Sequence, residues 1–280
     1  MLPRDDAELL ALAGLDDPPP PEQGLFRAGS WLRRVSSESV VLAGGGRALL
    51  LEIAHPLVAE GVAQHSRFRE DPLGRLQRTL DALSAIAFRD RAAALAAARG
   101  VERVHEGVRG RLEVETGRFA AGTRYDGRDP ELMLWVWATL VDTALAITAR
   151  FVAPLVGEAL ALYYAEQRVV ARLLGIPVAR VPADADAFRA YFDAMLVGDA
   201  LCVGERARAI AAALLDPPRP LPGGSLFRLV TAGMLPPRLR EAFGLGWDEA
   251  REARLDALAR SARALRGERR PALDSPDKGR

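Results

Sequence analysis

Two residue types with reactive side chains are almost missing from the sequence. Cysteine occurs once, at Cys202, which excludes a disulfide framework and any cysteine-rich zinc or iron–sulfur site. Lysine also occurs once, at Lys278 in the polar C-terminal stretch, so a lysine Schiff base within the folded region is excluded. Packing alone must therefore hold the fold together.

An excess of charge of one sign is missing as well. The 280 residues contain 38 basic and 37 acidic side chains, a formal net charge of +1. No net-charge argument therefore favours an anionic membrane surface or a nucleic acid, and we expect no nucleic-acid partner. Hydrophobic residues make up 49% of the chain and charged residues 27%, a balance that excludes a disordered protein.

The two ends of the chain differ in composition from the middle. The N-terminal residues MLPRDDAELLALAG lack the basic start and long apolar segment of a secretory signal peptide, which predicts a cytoplasmic protein. The proline-rich run DDPPPPEQ predicts a loosely held N-terminal arm over residues 1–24, and a charged run with two prolines predicts a flexible tail over residues 267–280. We expect a single helical domain between them, over residues 25–266.

The middle of the chain carries the start and stop signals of helices. Asp71-Pro72 and Asp129-Pro130 each place a capping carboxylate before a proline at the first helical position. No segment alternates apolar and polar residues with the period of two that a half-buried strand requires. The sequence therefore predicts an all-α fold, a compact multi-helix bundle. The predicted helices cover about residues 46–65, 72–88, 91–110, 130–150, 157–174, 186–197, 203–215, 236–243 and 247–265.

The most apolar predicted helix raises the question of a membrane span. Residues 131–149 approach the length of about 20 apolar residues that crosses a bilayer. Asp142 lies near the middle of this run, where a carboxylate costs several kcal/mol in lipid but needs only one hydrogen-bonded partner in a protein core. We therefore predict a buried core helix, a partner for Asp142, and no integral membrane segment.

The sequence has three histidines, two of which lie close together. His55 and His65 are ten residues apart, so at about 100° per residue they do not share the helix face that a two-histidine metal motif needs. His105 is predicted to point towards the core, because valines surround it at helical spacings. A buried imidazole can be satisfied by a core hydrogen bond or by a metal ion, and both explanations stay open. The valines are Val101, Val104 and Val108.

Arg75 and Thr79 are four residues apart and share one face of a predicted helix, at the border of its apolar stripe. A solvated arginine and a threonine bonded to its own helix would explain them. A guanidinium and a hydroxyl beside a core-facing histidine would also suit a flat apolar cofactor that carries acidic groups.

Four segments, in this order and spacing, resemble one known family. They read AHPLVAEGVAQHSRFREDPLGRLQRTLDAL, VERVHEGVRG, DPELMLWVWATLVD and YYAEQRVVARLLGIP. Together they look like the catalytic domain shared by rubber oxygenases (latex clearing proteins) and the MpaB-type oxygenases of fungal meroterpenoid biosynthesis, over about residues 25–245. The resemblance implies a globin-like helical core that holds one haem b through a single proximal histidine, which falls on His105. The arginine and threonine of the family fall on Arg75 and Thr79, which implies that both contact the haem and take part in catalysis.

The resemblance also implies an activity, and the chain departs from the family at two positions. The implied protein is a haem b-dependent oxygenase that combines O2 with a small, apolar, unsaturated, isoprenoid-like substrate. Rubber oxygenases have a lysine before the threonine, whereas this chain has Arg78, which cannot lose its proton to become a ligand. Many relatives have a histidine where this chain has Trp137. The alternative is a haem protein that stores, transports or senses without turnover.

We expect His55, His65, Arg78 and Trp137 to contribute to the same pocket as the haem ligand. A further hypothesis, from a different class of enzyme, is a non-haem metal hydrolase in which the three histidines bind the metal together with Glu60 or Asp142.

Overall fold

The computed structural model describes residues 2–66, 71–217 and 223–267, which are mostly helical. The fold class predicted from the sequence is confirmed at this level. The helices are α1 (Asp6–Ala13), α2 (Trp31–Ser36), α3 (Ser39–Leu42), α4 (Gly45–Ile53), α5 (Pro56–His65), α6 (Pro72–Phe88), α7 (Arg91–Glu106), α8 (Pro130–Phe151), α9 (Gly157–Leu173), α10 (Ala185–Val197), α11 (Glu205–Leu215), α12 (Gly224–Met234), α13 (Pro237–Ala242) and α14 (Glu249–Gly267).

Both Asp-Pro signals start helices as predicted. Asp71 accepts a hydrogen bond of 2.9 Å from the backbone N–H of Gly74 at the start of α6. Asp129 accepts one of 2.9 Å from Glu131 at the start of α8. In both helices the proline occupies a first-turn position, where its missing N–H has no intrahelical partner to lose.

Helix α8 is the buried core helix that the sequence predicts. It packs against α3, α4 and α14, and its Trp135 and Trp137 are almost fully buried. Asp142 has the expected partner: Arg47 of α4 donates to its Oδ2 at 2.6 Å and to Thr143 Oγ1 at 2.7 Å. By length and composition alone α8 is also long and apolar enough to cross a membrane, although 56% of its most apolar stretch is buried within the fold.

The N-terminal residues pack onto the helical body, so the loosely held arm expected from the prolines is not what the structure shows. Leu9, Leu10 and Ala13 of α1 are buried in a second apolar cluster, to which α7 and α9 also contribute. The Arg172 side chain of α9 donates a 3.0 Å hydrogen bond to the carbonyl of Ala13. The predicted tail, residues 267–280, lies outside the described residues except for Gly267, which is the last residue of α14.

The prediction of one helix over residues 46–65 is wrong. Two helices, α4 and α5, occupy this range, and the chain bends by 110° between Ser39–Ile53 and Pro56–His65. The cause is Pro56, because a proline disfavours the helical conformation of the residue before it. His55 accordingly has φ −83° and ψ 120°, which is extended backbone.

A small β-hairpin is the other difference from the prediction. The helix predicted to end near residue 110 ends at Glu106, and β1 (Arg109–Arg111) follows and pairs antiparallel with β2 (Arg124–Asp126). Three residues per strand are too few to produce a recognisable alternation in the sequence. The hairpin follows the helix that carries His105, and its strand β1 packs against α5.

Candidate functional site

A cavity of about 650 Å³ lies between α5, α6, α7, α8 and the hairpin. Its size falls within the range of about 300–1,000 Å³ that is typical of small-molecule and cofactor sites. The wall is mainly apolar, and each of the four helices contributes to it. Representative wall residues are Val62 on α5, Leu83 and Ile86 on α6, Ala97 on α7, and Met133 and Val136 on α8.

The cavity brings together five of the residues singled out in the sequence. Their side chains come from four helices, so only the tertiary fold makes them neighbours. The side chain of Arg75, which belongs to the same set, lies outside the described part of the structure, although its backbone is in α6. The five residues are His65, Arg78, Thr79, His105 and Trp137.

His105 lies in the last turn of α7 and is half-buried in the cavity wall. Val101 is half-buried on the same helix, as predicted, whereas Val104 is 67% exposed and the half-buried Val108 lies beyond the end of α7. Since Val104 also lines the cavity, the cavity opens towards solvent next to His105. His105 therefore stands at the border between the apolar interior and the opening, not deep in a closed core.

Arg78 and Thr79 face the cavity from α6. Thr79 is half-buried, whereas the side chain of Arg78 is 65% exposed and lies 3.5 Å from the carboxylate of Asp71. The guanidinium is therefore at the solvent end of the cavity with its charge compensated by an exposed partner. Such a group can reach an acidic group of a ligand at the opening but adds little to stability.

Trp137 forms part of the cavity wall on α8 and is only 2% exposed. Its ring centroid lies 5.7 Å from that of Phe188, edge to face, and 6.1 Å from that of Tyr164. Within the described ranges the indole Nε1–H has no hydrogen-bond partner. The indole thus fills the wall between the cavity and an aromatic cluster, and it carries a buried donor that is unsatisfied.

His55 does not line this cavity. It is buried at the N-terminal end of α5, with its ring 5.1 Å from that of Phe119. Burial, and to a smaller extent the positive charge of Arg118, together lower the pKa of His55 to about 4. The structure therefore makes His55 a neutral core imidazole at neutral pH and does not bring it to the other predicted pocket residues.

The hydrolase reading requires several metal ligands in one place. Among the residues that the structure describes, no three histidine, cysteine, aspartate or glutamate side chains are arranged to hold a metal ion. Asp142 is bonded to Arg47, and His55 is buried apart from the cavity. The proposed set of His55, His65, His105, Glu60 and Asp142 does not assemble in the described residues.

A hydrogen-bonded chain that the sequence analysis missed leads away from His65. Nε2 of His65 lies 3.2 Å from the Tyr125 hydroxyl and 3.1 Å from the carbonyl oxygen of Arg109. The Tyr125 hydroxyl donates to Gln64 Oε1 at 2.5 Å, and Gln64 Nε2 donates to Glu60 Oε1 at 2.7 Å. Burial raises the pKa of Tyr125, and the negative charge of Glu60 adds to the effect. The i, i+4 spacing of Glu60 and Gln64 was visible in the sequence, but nothing pointed to Tyr125.

Helix α5 separates this cavity from a second one of about 640 Å³. Its residues Leu57, Val58, Gly61, Val62 and His65 line the first cavity, whereas Pro56, Ala59 and Glu60 line the second. At about 100° per residue these two sets occupy opposite faces of the helix. Glu60 therefore belongs to the second cavity, while the hydrogen-bonded chain that starts from it ends at the first.

Comparison with known proteins gives one match. A family model described as "ER-bound oxygenase mpaB/B'/Rubber oxygenase, catalytic domain" matches residues 32–264, which is most of the chain. No curated protein and no solved structure matches the chain significantly. The matched range contains the bent helix pair, all four helices of the cavity and the hairpin. The chain thus belongs to the family of ER-bound oxygenase mpaB/B' and rubber oxygenase catalytic domains.

Proposed function

We propose that this protein is a haem b-dependent oxygenase whose cofactor occupies the cavity between α5, α6, α7 and α8, in the manner of a globin-like core. The proposal is carried by the cavity: in a chain of an oxygenase family, an apolar cavity of cofactor size gathers the imidazole of His105, the hydroxyl of Thr79 and the guanidinium of Arg78. If these three groups lay on separate, solvated helix faces, they would not line one cavity.

The residues around the cavity fit a haem in their chemistry. Histidine is a common protein ligand of haem iron, and His105 offers its imidazole from a half-buried position in the wall. The apolar side chains of α5, α6 and α8 suit the faces and edge of a macrocycle. Arg78 lies at the solvent end of the cavity and would pair with an acidic propionate of a haem, and Arg75 is proposed for the same role.

The residues then divide the work between holding the cofactor and shaping the substrate site. His105 binds the iron, and Thr79 holds a polar atom or a water on the same wall. When bound, haem supplies the activation of O2. The apolar wall orients an apolar, unsaturated, isoprenoid-like substrate and excludes water. Trp137 supplies both bulk and the one buried indole N–H in that wall, a donor for an oxygen atom of a ligand.

The experiment is haem reconstitution of the purified full chain, followed by an absorption spectrum. The wild type should bind one haem and show a Soret band, and His105→Ala should lose stoichiometric binding while circular dichroism still reports a helical fold. His65→Gln is the matched control, because His65 lines the same cavity and should leave haem content unchanged. Retention of haem by His105→Ala with an unchanged spectrum would contradict the role of His105.

A haem protein without turnover is the second candidate, and Trp137 is the observation that favours it. The indole fills the wall at a position where many relatives are expected to have a histidine. Oxygen consumption by the reconstituted protein with an unsaturated isoprenoid separates the two candidates. Uptake of O2 above the haem-only control supports the oxygenase, and its absence with full haem content supports storage, transport or sensing.

A further inference from the structure

The partners of His65 determine which of its nitrogens carries the proton. A backbone carbonyl can only accept a hydrogen bond, so the contact of Nε2 with the carbonyl of Arg109 requires Nε2–H. The Tyr125 hydroxyl agrees, because it donates its own proton to Gln64 and so accepts from Nε2. Neutral His65 is therefore the Nε2–H tautomer, and Nδ1 carries the lone pair.

The remaining members of the chain are oriented in the same sense. Gln64 must turn its amide nitrogen towards Glu60 Oε1, which accepts only, so its oxygen must face Tyr125. Each donor thus points away from His65 and towards the buried carboxylate of Glu60, which is 1% exposed. Hydrogen bonds arranged in series polarise one another, which strengthens Nδ1 of His65 as an acceptor.

A glycine in the hairpin makes this arrangement possible. A Cβ atom built on Gly110 would collide with the Tyr125 hydroxyl and lie 2.8 Å from Gln64 Oε1. Gly110 pairs with Tyr125 across the hairpin, so the strand passes close beneath the hydroxyl. Any larger residue would push Tyr125 or Gln64 out of the chain of hydrogen bonds.

His65 is exposed and lines the first cavity, so its ring lies where that cavity opens. The charged groups on the surrounding elements have partners of their own. These pairs are Arg109 with Asp126 on the hairpin, Arg78 with Asp71 on α6, and Arg206 of α11 with Glu60 and Glu113.

We propose that Nδ1 of His65 accepts a hydrogen bond from a hydroxyl group of the substrate, and that Tyr125, Gln64 and Glu60 are positioning residues that fix its tautomer. The substrate class is thereby narrowed to an apolar chain that carries a hydroxyl at the end nearest the opening. The inference rests on the proposed function only in using the same cavity for the substrate.

The first test is the tautomer itself, which needs neither haem nor turnover. Long-range ¹⁵N–¹H spectra of the full chain without added haem should show three histidine side chains, and the His65→Phe variant identifies the one from His65. The neutral form of His65 should be the Nε2–H tautomer. A neutral His65 with its proton on Nδ1 would overturn the proposal, and His65→Gln makes the same assignment if His65→Phe fails to fold.

The second test compares farnesol with farnesyl methyl ether by calorimetry, because the ether lacks only the O–H donor. Wild type should bind the alcohol up to about tenfold more tightly, as one net hydrogen bond allows. His65→Phe should lose the preference, and Tyr125→Phe should reduce it. Tyr163→Phe is the matched control: its hydroxyl accepts from Gln167 at 2.9 Å, outside the cavity.

The outcomes separate this inference from the proposed function. Equal affinity of wild type for the alcohol and the ether, or a preference that persists in His65→Phe, would overturn the role of His65. If the protein takes up no haem but binds the alcohol more tightly than the ether, and His65→Phe abolishes that preference, the role of His65 is supported and the proposed oxygenase function is contradicted. If the protein shows a Soret band but binds the alcohol and the ether equally, haem binding is supported and the role of His65 is contradicted.

Discussion

His55 is an imidazole whose burial has a measurable consequence for stability. Its pKa is lowered to about 4 in the folded protein, first by burial and then by Arg118, against 6.5 in the unfolded chain. The unfolded state therefore binds more protons between these two values, and stability falls as the pH drops through this window. Well above pH 6.5 His55 is neutral in both states and contributes no pH dependence.

We predict that this residue alone lowers the free energy of unfolding by about 2 kcal/mol between pH 7.5 and pH 5. Urea unfolding of wild type and His55→Gln at both values measures it, since the variant keeps every other titratable group. The difference between the two proteins should be the pH-dependent part. An identical loss in both proteins would mean that His55 can be protonated without cost in the fold.

Trp137 distinguishes a catalytic position from a packing position. If a histidine there assists the oxygen chemistry, Trp137→His should create or raise oxidation of an unsaturated isoprenoid with haem content unchanged. If the indole only fills the wall, the smaller ring leaves a cavity and a polar nitrogen beside Phe188, at a cost of about 2–4 kcal/mol. Turnover and melting temperature measured on one preparation decide, and lower stability without gain in turnover removes the catalytic role.

At the scale of helices, the contact of α4 with α8 depends on a buried guanidinium. Arg47 is 5% exposed and donates to Asp142, to Thr143 and to the carbonyl of Met234. Arg47→Met should destabilise the protein by about 3 kcal/mol, because it leaves the half-buried carboxylate of Asp142 and the buried hydroxyl of Thr143 without their donor. The loss would appear as a lower urea midpoint with an unchanged slope.

Arg180→Met is the matched control for that prediction. Arg180 bonds Glu131 on the same helix α8 at 2.6 Å, but both side chains are more than half exposed. This pair should contribute about 0–1 kcal/mol. If the two variants lose similar amounts of unfolding free energy, burial is not the reason that the Arg47 pair stabilises the protein.

The helix predictions succeed where a local signal is strong and fail where a short segment is decided by its neighbours. The Asp-Pro starts of α6 and α8 were readable because capping and proline act on the next residues alone. The break before Pro56 was also local, and the apolar run over residues 46–65 concealed it. The hairpin depends on pairing across a loop of twelve residues, 112–123, which no local pattern expresses.

At the scale of the whole molecule, the N-terminal helix closes one of the two main apolar clusters. Leu9 is fully buried there, whereas Leu12 on the same helix is 45% exposed. Leu9→Ala should lower the free energy of unfolding by about 2–4 kcal/mol, and Leu12→Ala by less than about 0.5 kcal/mol. Equal urea midpoints for the two variants would show that α1 is not docked in solution.

The candidate site could be predicted from the sequence only in part, for reasons of distance along the chain. His65, Thr79, His105 and Trp137 come from four helices, and their common cavity was anticipated through the family resemblance rather than through spacing. Tyr125 and Arg109 acquire their importance only where the hairpin meets α5, so no property of either residue marks it in the sequence. His55 lies only ten residues before His65, yet it is buried apart from the cavity, and the sequence does not distinguish the two histidines in this respect.

The two faces of α5 give the protein a property that is useful to an engineer. Because Leu57, Val58, Gly61 and Val62 border one chamber and Ala59 borders the other, each chamber can be resized without changing the lining of its neighbour. Substitutions on the first face would change the volume of the first cavity, and substitutions at Ala59 would change that of the second cavity in the same protein. The volumes of the two cavities can therefore be changed separately by substitutions on opposite faces of one ten-residue helix.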